Sequence, residues 1–278
     1  MASGRPGGRA ALHSCCRSIA PRKGEPVYVA CSSLCFSHYP LAHALHTISE
    51  LNFHKVDLAL HDSGPHLKPS DVLADGNRVA AMLRKANVAY SAFHVEIAAG
   101  ADVDQYRDTL RAVCRLGRAL AVPVVNVSAA PLGSDFAEEV KRLTPLTKVA
   151  EGEGVFLTVE THSQTITADP IGAAELCRRV PGLGLTLDPS HYLVGAHREQ
   201  DYDGLYPFVR HVRLRDTTKD KLQVRVGQGQ LEYGRIITCL SRENYERALS
   251  VDIHSIADRS FPMEPEVRKL KYLLESMV

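Results

Sequence analysis

Short runs of apolar and β-branched residues alternate along this chain with longer stretches whose apolar residues recur at helical spacing. The short runs predict eight strands, and a helical pattern follows each of them, so a new strand begins about every 30 residues. This alternation favours a parallel sheet, because each helix returns the chain to the same edge of the sheet. Eight such units predict a closed (β/α)8 barrel, the TIM barrel, in a single α/β domain.

The predicted elements fill the chain after residue 25. The strands are predicted over 27–33, 55–60, 89–94, 122–127, 155–160, 184–188, 211–215 and 248–253. The helices are predicted over 41–51, 70–86, 103–120, 136–151, 170–179, 204–208, 231–240 and 264–277. An open doubly wound sheet is the alternative, and it usually has a glycine-rich turn after its first strand. The corresponding turn here, 32–38, has no glycine, which favours the barrel.

Residues 1–24 differ in composition from the barrel domain predicted over 25–278. They are rich in Gly, Arg, Ser and Ala, contain no Asp, and lack the continuous apolar segment of a signal peptide. We expect a disordered tail or a start placed too far upstream, and a transit-type leader is the alternative. No apolar run approaches the roughly 18 residues that a transmembrane helix needs.

Charge and cysteine content narrow the functional classes. The 33 basic and 32 acidic residues leave a formal net charge of +1, which gives no electrostatic footprint for nucleic acid or an anionic membrane. The seven cysteines are odd in number and form no paired CxxC motifs. We therefore predict reduced, mostly buried thiols and a cytoplasmic protein.

Polar residues collect where the predicted strands end. In a TIM barrel, catalytic groups stand at these ends, around one mouth. Buried charges are costly unless they meet partners or metals, so such residues at six strand ends predict a functional site rather than packing. The residues are His61, Asp62, His94, Glu96, Glu160, His162, Asp188, His191, His211, Arg213, Arg215, Asp252 and His254.

A site of this composition suits a divalent cation. Carboxylate oxygens bind Mn²⁺ and Mg²⁺, and imidazole extends the choice to Co²⁺ or Zn²⁺. Such a metal polarises a carbonyl and stabilises an enediolate while a neighbouring group moves a proton. Metal-assisted proton transfer is therefore one chemistry that the pattern indicates.

Four segments of the chain resemble the xylose isomerase-like TIM barrel superfamily. They are "VFLTVETH", "LDPSH", "HVRLRD" followed by "VGQGQLEYGRI", and "VDIH". The resemblance covers nearly the whole chain from about Val27. The superfamily includes sugar and sugar-phosphate isomerases and epimerases, inosose isomerases and dehydratases, and an AP-endonuclease branch. The resemblance implies an enzyme with a sugar-like substrate, and it implies a homo-oligomer because dimers and tetramers are common among such relatives.

The resemblance also implies a ligand set for a metal, with one departure. In the isomerases and epimerases, Glu, Asp, His and Glu on strands five to eight hold the ion. Glu160 and Asp188 match the first two ligands, and Asp252 stands where the fourth is usually Glu. The histidine ligand belongs to an "HVHLRD" pattern, and this chain has Arg213 at its position. His191 matches a histidine on the substrate side of such sites.

Arg213 leaves two interpretations open. A guanidinium has no lone pair for a cation, so Arg213 cannot act as the missing ligand. In the first interpretation, a metal remains on Glu160, Asp188 and Asp252, and Arg213 binds the substrate. In the second, the guanidinium takes the place of the metal and bridges Glu160 and Asp188. Repulsion between a fixed cation and a divalent ion favours the second.

Three functions are consistent with the sequence. The leading hypothesis is a sugar, sugar-phosphate or inosose isomerase or epimerase, or a related lyase, that works by proton transfer. One alternative is a phosphodiesterase of the AP-endonuclease type, and another is a non-catalytic barrel that binds a sugar. The leading hypothesis assigns catalysis to Glu160, Asp252 and His191, and substrate binding to His94, His162, Arg213, Arg215 and His254.

Overall fold

The computed structural model of the chain describes Met1 and residues 27–98, 100, 102–254 and 261–278. The tail or leader predicted at 1–24 lies, apart from Met1, outside the described residues. Within the described residues, no helix combines the length and the apolar character that a membrane crossing requires.

Eight parallel strands close into a barrel, in the order in which they occur in the chain. The last strand pairs in parallel with the first, from Tyr28 beside Ala248 to Cys31 beside Val251. The predicted TIM barrel is therefore confirmed. The strands are β1 (Tyr28–Ser32), β2 (Lys55–His61), β3 (Ala89–Glu96), β4 (Val124–Val127), β5 (Phe156–Glu160), β6 (Gly184–Leu187), β7 (Val209–Leu214) and β8 (Ala248–Val251).

A helical segment follows every strand. The α-helices are α1 (Leu41–Glu50), α2 (Pro69–Leu83), α3 (Val103–Ala119), α4 (Phe136–Glu153), α5 (Pro170–Arg179), α6 (Ser190–Val194), α7 (Tyr233–Arg242) and α8 (Met263–Glu275). Short 3-10 helices lie at Ser33–Phe36, Ile166–Ala168 and Asp203–Phe208.

The observed strand bounds lie within two residues of the predicted ones. The prediction for the sixth helix was wrong in part, because the segment predicted over 204–208 forms the 3-10 helix Asp203–Phe208. The sixth α-helix is α6, which begins directly after β6 and was not predicted. Its five residues, SHYLV, are too few to show the periodicity that identified the longer helices.

Acidic residues fix the starts of three helices. Asp102 and Asp135 accept hydrogen bonds from the backbone N–H groups of Gln105 and Glu138, over 2.8 Å and 3.0 Å. Asp169 caps α5 in the same way, and proline follows it at the first helical position. These caps satisfy N–H groups that the first helical turn leaves without partners.

The apolar core joins the buried side chains of the strands to those of the helices, for example Leu58, Leu157, Leu110 and Leu270. All five described cysteines are free and buried, as predicted for those positions.

The interior of the barrel is polar toward the mouth. Asp57, Asn126, Thr158, Thr186 and Arg213 are each at most 1% exposed. Bulky branched residues usually fill this space in TIM barrels. Buried polar groups must find partners inside the protein, so this layer specifies a defined hydrogen-bond network.

Candidate active site at the mouth of the barrel

A cavity of about 480 Å³ opens among the carboxyl ends of the strands. Its volume lies in the range of small-molecule sites. Every residue predicted to bind substrate lines it, together with Glu160 and His191, whereas Asp188 and Asp252 are fully buried behind the lining. The lining residues are Leu34, His61, His94, Glu96, Ser128, Ala129, Glu160, His162, Thr165, His191, Arg213, Arg215, Leu222 and His254.

The deepest charged group of the site is Asp57, in the middle of β2. Arg213 donates to both of its oxygens, from Nε to Oδ2 over 2.9 Å and from Nη2 to Oδ1 over 3.1 Å. His211 donates from Nε2 to Oδ2 over 2.9 Å. Burial acts to raise the pKa of Asp57, but the charges of Arg213 and His211 outweigh it and hold this pKa well below its ordinary value. Asp57 therefore stays ionised and anchors Arg213.

A second buried ion group links three neighbouring strands. The first residue after each of β6, β7 and β8 is, in that order, Asp188, Arg215 and Asp252. The Nη2 atom of Arg215 donates to Asp188 Oδ2 over 2.5 Å and to Asp252 Oδ2 over 3.0 Å. His254 Nε2 lies 3.1 Å from the same Asp252 oxygen. Burial acts to raise the pKa of Asp252, but His254, Arg213 and Arg215 together lower it well below its ordinary value.

The predicted bridge from Arg213 to Glu160 and Asp188 forms at Glu160 only. Arg213 Nη1 lies 3.4 Å from Glu160 Oε1, while Asp188 pairs with Arg215 instead. The reason is the depth of the residues along β7: Arg215 stands level with the acids that follow the adjacent strands. Arg213 lies one inward position deeper, where Asp57 of β2 meets it. Asp57 was not predicted, although an acid inside the apolar run "KVDLAL" was a signal for it.

Three side chains from β2 and β3 form a cluster on one side of the cavity. Glu96 lies 3.5 Å from His61 Nδ1 and 3.7 Å from His94 Nε2. Burial is the largest cause that lowers the pKa of His61 from 6.5 to about 4, and His94 adds to it. The His94 ring in turn helps to hold the pKa of Glu96 below its ordinary value. At neutral pH the cluster therefore combines an ionised carboxylate with a neutral His61.

His162 and His191 form a pair of contacting imidazoles, tilted 41° to each other, elsewhere on the cavity wall. Their ring centres lie 4.0 Å apart. His191 Nδ1 is 3.1 Å from Ser163 Oγ, and its Nε2 is 3.8 Å from Asp188 Oδ2. Burial lowers the pKa of His191, and this effect exceeds the opposing effect of Asp188. His191 is thus a neutral hydrogen-bonding group at neutral pH.

The loop after β7 is fastened at two points. Asp216 accepts hydrogen bonds from the backbone N–H groups of Gly227 and Gly229, over 2.6 Å and 2.9 Å. Gln223 pairs with the backbone of His254 through both its amide nitrogen and its amide oxygen, over 2.8 Å and 2.7 Å. These contacts hold the loop that places Leu222 on the cavity wall.

Among the residues that the structure describes, two groups of side chains have potential metal ligands within 4.8 Å of one another. One is Glu160, Asp188 and Asp252, and the other is His61, His94 and Glu96. In the first group, Arg215 Nη2 lies between the two Asp oxygens, and Arg213 Nη1 lies beside Glu160.

The arginines decide whether the carboxylate group fits a metal. Asp252 Oδ1 is buried without a partner among the described atoms, so one ligand atom is free. The facing oxygens of Asp188 and Asp252, however, already accept guanidinium N–H groups. A fixed cation at this position also repels a divalent ion by several kcal/mol. With both arginines in place, the carboxylate group does not fit the metal that the resemblance implies.

The fold and the position of the site define a class: a (β/α)8 barrel with a polar cavity at the carboxyl ends of its strands. A family model described as "Xylose isomerase-like TIM barrel" matches residues 45–274. The chain belongs to this family. A search of curated protein sequences finds no significant match.

Several solved structures share this fold at low sequence identity. D-allulose 3-epimerase from Methylomonas sp., solved with D-allulose, has a TM-score of 0.72 at 14% identity, covering 92% of this chain and 98% of the other. The 3-keto-D-glucoside 4-epimerase YcjR from E. coli has a TM-score of 0.69 at 11% identity, covering 90% and 99%. The probable 3-DHS dehydratase AsbF from Bacillus anthracis has a TM-score of 0.69 at 14% identity, also covering 90% and 99%.

Proposed function

We propose that the chain is an isomerase or epimerase that moves a proton on a small polyhydroxy keto or aldo compound of the sugar class. A lyase that eliminates water would share the first step, which is removal of a proton next to a carbonyl. The family and the two epimerases described above, which share its fold, support this class.

The observation that carries the proposal is the setting of Glu160. Its side chain is 12% exposed, faces the cavity, and lies beside Arg213 at 3.4 Å. Arg215 and the neutral His191 line the same cavity. Enediolate formation needs a base, fixed positive charge and hydrogen-bond donors, and these three kinds of group line the cavity together.

The residues would divide the reaction as follows. Glu160 takes a proton from the carbon next to the substrate carbonyl, and the electrons of that C–H bond pass into an enediolate. Arg213 and Arg215 stabilise the negative charge on its oxygens, and His191 orients a hydroxyl. Return of the proton by Glu160 to the neighbouring carbon gives an isomer, whereas an epimer requires a proton from a second donor on the opposite face of the same carbon.

Asp252 was predicted to act as an acid or base, and its contacts support a different role in the reaction. It is fully buried and is paired with Arg215 and His254. We assign it as a positioning residue that holds these two side chains against the cavity.

The arginines support a reaction without a divalent metal. Arg213, at the position of the expected histidine ligand, adds positive charge beside Glu160 to that of Arg215, and this charge does part of what Mn²⁺, Mg²⁺, Co²⁺ or Zn²⁺ would otherwise do. Both are nearly fully buried and bonded to carboxylates, so their positions are fixed before substrate binds. Fixed charges of this kind need no reorganisation during the reaction.

The same pairing favours an unphosphorylated substrate. Among the described residues that line the cavity, the two guanidinium groups are each bound to an acid, and no lysine is present. A phosphate dianion would find no unpaired fixed cation there. Hydroxyl groups suit the imidazoles and carboxylates of the lining better.

The two alternative functions receive less support. Metal-dependent phosphodiester cleavage needs ligand groups that act together, and Arg213 lies between His94 of one group and Glu160 of the other. A non-catalytic sugar-binding barrel would use the same cavity without turnover. The homo-oligomer and the cytoplasmic location stay predictions, and light scattering during size-exclusion chromatography would check the first.

Hydrogen exchange in D₂O tests the function without knowledge of the product. The protein is incubated with D-fructose, D-tagatose, D-allulose and an inosose, and proton NMR follows the signal of the hydrogen next to each carbonyl. We expect one of them to lose this signal, and Glu160→Gln to slow the loss by about 10²–10⁴-fold. The exposed Glu246 precedes β8 at the opposite end of the barrel, so Glu246→Gln is the matched control. Binding without exchange would support the non-catalytic alternative and contradict the proposal.

A further inference from the structure

A chain of buried hydroxyl and amide groups crosses four neighbouring strands and ends at His94. The Oγ1 atoms of Thr186 and Thr158 lie 2.8 Å apart, and Thr158 Oγ1 donates to Asn126 Oδ1 over 3.1 Å. Asn126 Nδ2 lies 3.3 Å from His94 Nδ1. The first three residues are completely buried, and His94 is 4% exposed. The hydrogen bonds of this chain are thus shielded from water.

The chain of threonine and asparagine groups alone has two possible directions. Each hydroxyl both donates and accepts, and an amide offers both kinds of atom. His94 Nδ1 would therefore either accept from Asn126 or donate to it, depending on which way the amide faces.

Arg213 removes this ambiguity, because a guanidinium can only donate. Its Nη1 atom contacts His94 Nδ1, so this nitrogen must be the acceptor. Asn126 must then present its N–H to His94 and its oxygen to Thr158, whose single proton is used there. Thr186 is left to donate to Thr158. Asp57 holds Nε and Nη2 of Arg213, which fixes the direction of Nη1.

We propose that Arg213 and Asn126 lock His94 as a neutral imidazole with its proton on Nε2, and that this N–H donates to a substrate oxygen in the cavity. Arg213 and Asn126 are positioning residues in this assignment, and His94 is the group that touches substrate. The second half of the proposal rests on the proposed function. A neutral imidazole N–H can polarise a carbonyl during proton transfer, which is the part that a metal would otherwise play.

The hydrogen bonds from Arg213 and Asn126 to His94 also disfavour a metal ion on His61, His94 and Glu96. A metal on that cluster needs the lone pair of His94 Nε2, which lies 3.7 Å from Glu96 Oε1. The ring proton would then sit on Nδ1 and face an N–H group of Arg213, whichever way the amide of Asn126 turns. Two donors would then point at each other in a buried site, which is unfavourable. The cluster therefore favours a proton at Nε2 over a metal ion.

Nitrogen NMR of protein labelled with ¹⁵N-histidine tests the lock without any turnover. Through-bond correlations, with His94→Gln for assignment, identify the two ring nitrogens. We expect Nδ1 to show the shift of an unprotonated nitrogen and Nε2 that of a protonated one, unchanged when Zn²⁺ is added. A proton on Nδ1, or loss of the Nε2 proton with Zn²⁺, would overturn the proposal. If His94→Gln fails to fold, backbone-linked assignment of the unaltered protein still gives the result.

Two variants distinguish the contribution of Arg213 from that of Asn126. Asn126→Ala leaves Arg213 as a donor, so His94 keeps its proton on Nε2. Arg213→Gln introduces an amide that donates or accepts, so both tautomers become populated and the two nitrogen shifts move toward each other. A His94 that stays fully protonated on Nε2 in a folded Arg213→Gln variant would remove Arg213 from the lock. The NMR result stands even if no sugar is turned over, so it fails or succeeds separately from the proposed function.

Discussion

Replacement of Asp57 by Asn tests the buried ion group on which Arg213 depends. Asp57 is completely buried and accepts three hydrogen bonds, two from Arg213 and one from His211. The neutral amide keeps the size of the side chain but offers one oxygen in place of two. Its NH₂ group would face guanidinium or imidazole donors. The change therefore leaves the charge of Arg213 buried without an ionised partner at this point.

The expected loss of stability is large. Removal of one partner from a buried ion pair costs about 3–5 kcal/mol, because the remaining charge stays desolvated. For a chain of this size, each kcal/mol lowers the melting temperature by about 2–4 °C, so Asp57→Asn should melt about 6–20 °C lower. The exposed Asp220 gives the control, since Asp220→Asn makes the same change of charge and should alter stability by less than about 0.5 kcal/mol.

The pH dependence of this difference is a second check. The folded-state pKa of Asp57 lies below its ordinary value of 3.8. The contribution of the ionised group is therefore complete above about pH 3.8 and is lost as the pH falls toward the lower, folded-state pKa. Urea unfolding of wild type and Asp57→Asn at pH 7 and near pH 3 measures the difference in stability between them at each pH. Equal stability of wild type and Asp57→Asn at pH 7, or a gap that does not narrow in acid, would refute the argument.

Two further predictions concern His61 and the loop after β7. Because burial lowers the pKa of His61 from 6.5 to about 4, the unfolded chain takes up a proton in this range that the folded protein does not. Stability then falls by about 3 kcal/mol from pH 6.5 to 4, and His61→Gln should remove this part of the fall in urea titrations. A Cβ on Gly229 would lie 2.7 Å from the backbone nitrogen of Thr217, so Gly229→Ala should cost about 1–3 kcal/mol. Gly234, which has open space around it, serves as the control. Its change to Ala should alter stability by at most about 1 kcal/mol. Equal effects of Gly229→Ala and Gly234→Ala would contradict a steric clash at Gly229.

The elements of the fold could be predicted because hydrophobic periodicity is a local property of the chain. Each strand is a short apolar run, and each long helix repeats its apolar residues at helical spacing. Their alternation then leaves few topologies to choose from. The short helix α6 escaped prediction because five residues show no period.

The candidate site could be predicted as a set of residues that gather around one cavity, but not as a set of contacts. The strand-end rule identified Glu160, His191 and Arg215 because it depends only on position along each strand. The partner of Arg213 is Asp57, 156 residues away in the sequence. That pairing depends on the depth of each side chain inside the closed barrel, which no local pattern encodes.

Asn126 and Thr158 were missed for a related reason. Each is a single polar residue in an apolar strand, and such a residue is ordinarily a satisfied structural group. The available signal was their repetition: "VVNV", "FLTV" and "GLTL" each carry one polar residue among apolar neighbours. Pairing of Asn126 with Thr158 in the strand register turns this repetition into a continuous chain.

We infer that Arg213, at the position of the expected histidine ligand, and Arg215, bound to Asp188 and Asp252, leave no place for a bound metal in this site. Elemental analysis of protein purified without chelators, and dialysed against metal-free buffer, tests this directly for Mn, Mg, Co and Zn. We expect far less than one ion per chain, in a preparation that still catalyses exchange in D₂O. One retained ion per chain, with exchange that disappears when it is removed and returns when it is restored, would contradict it.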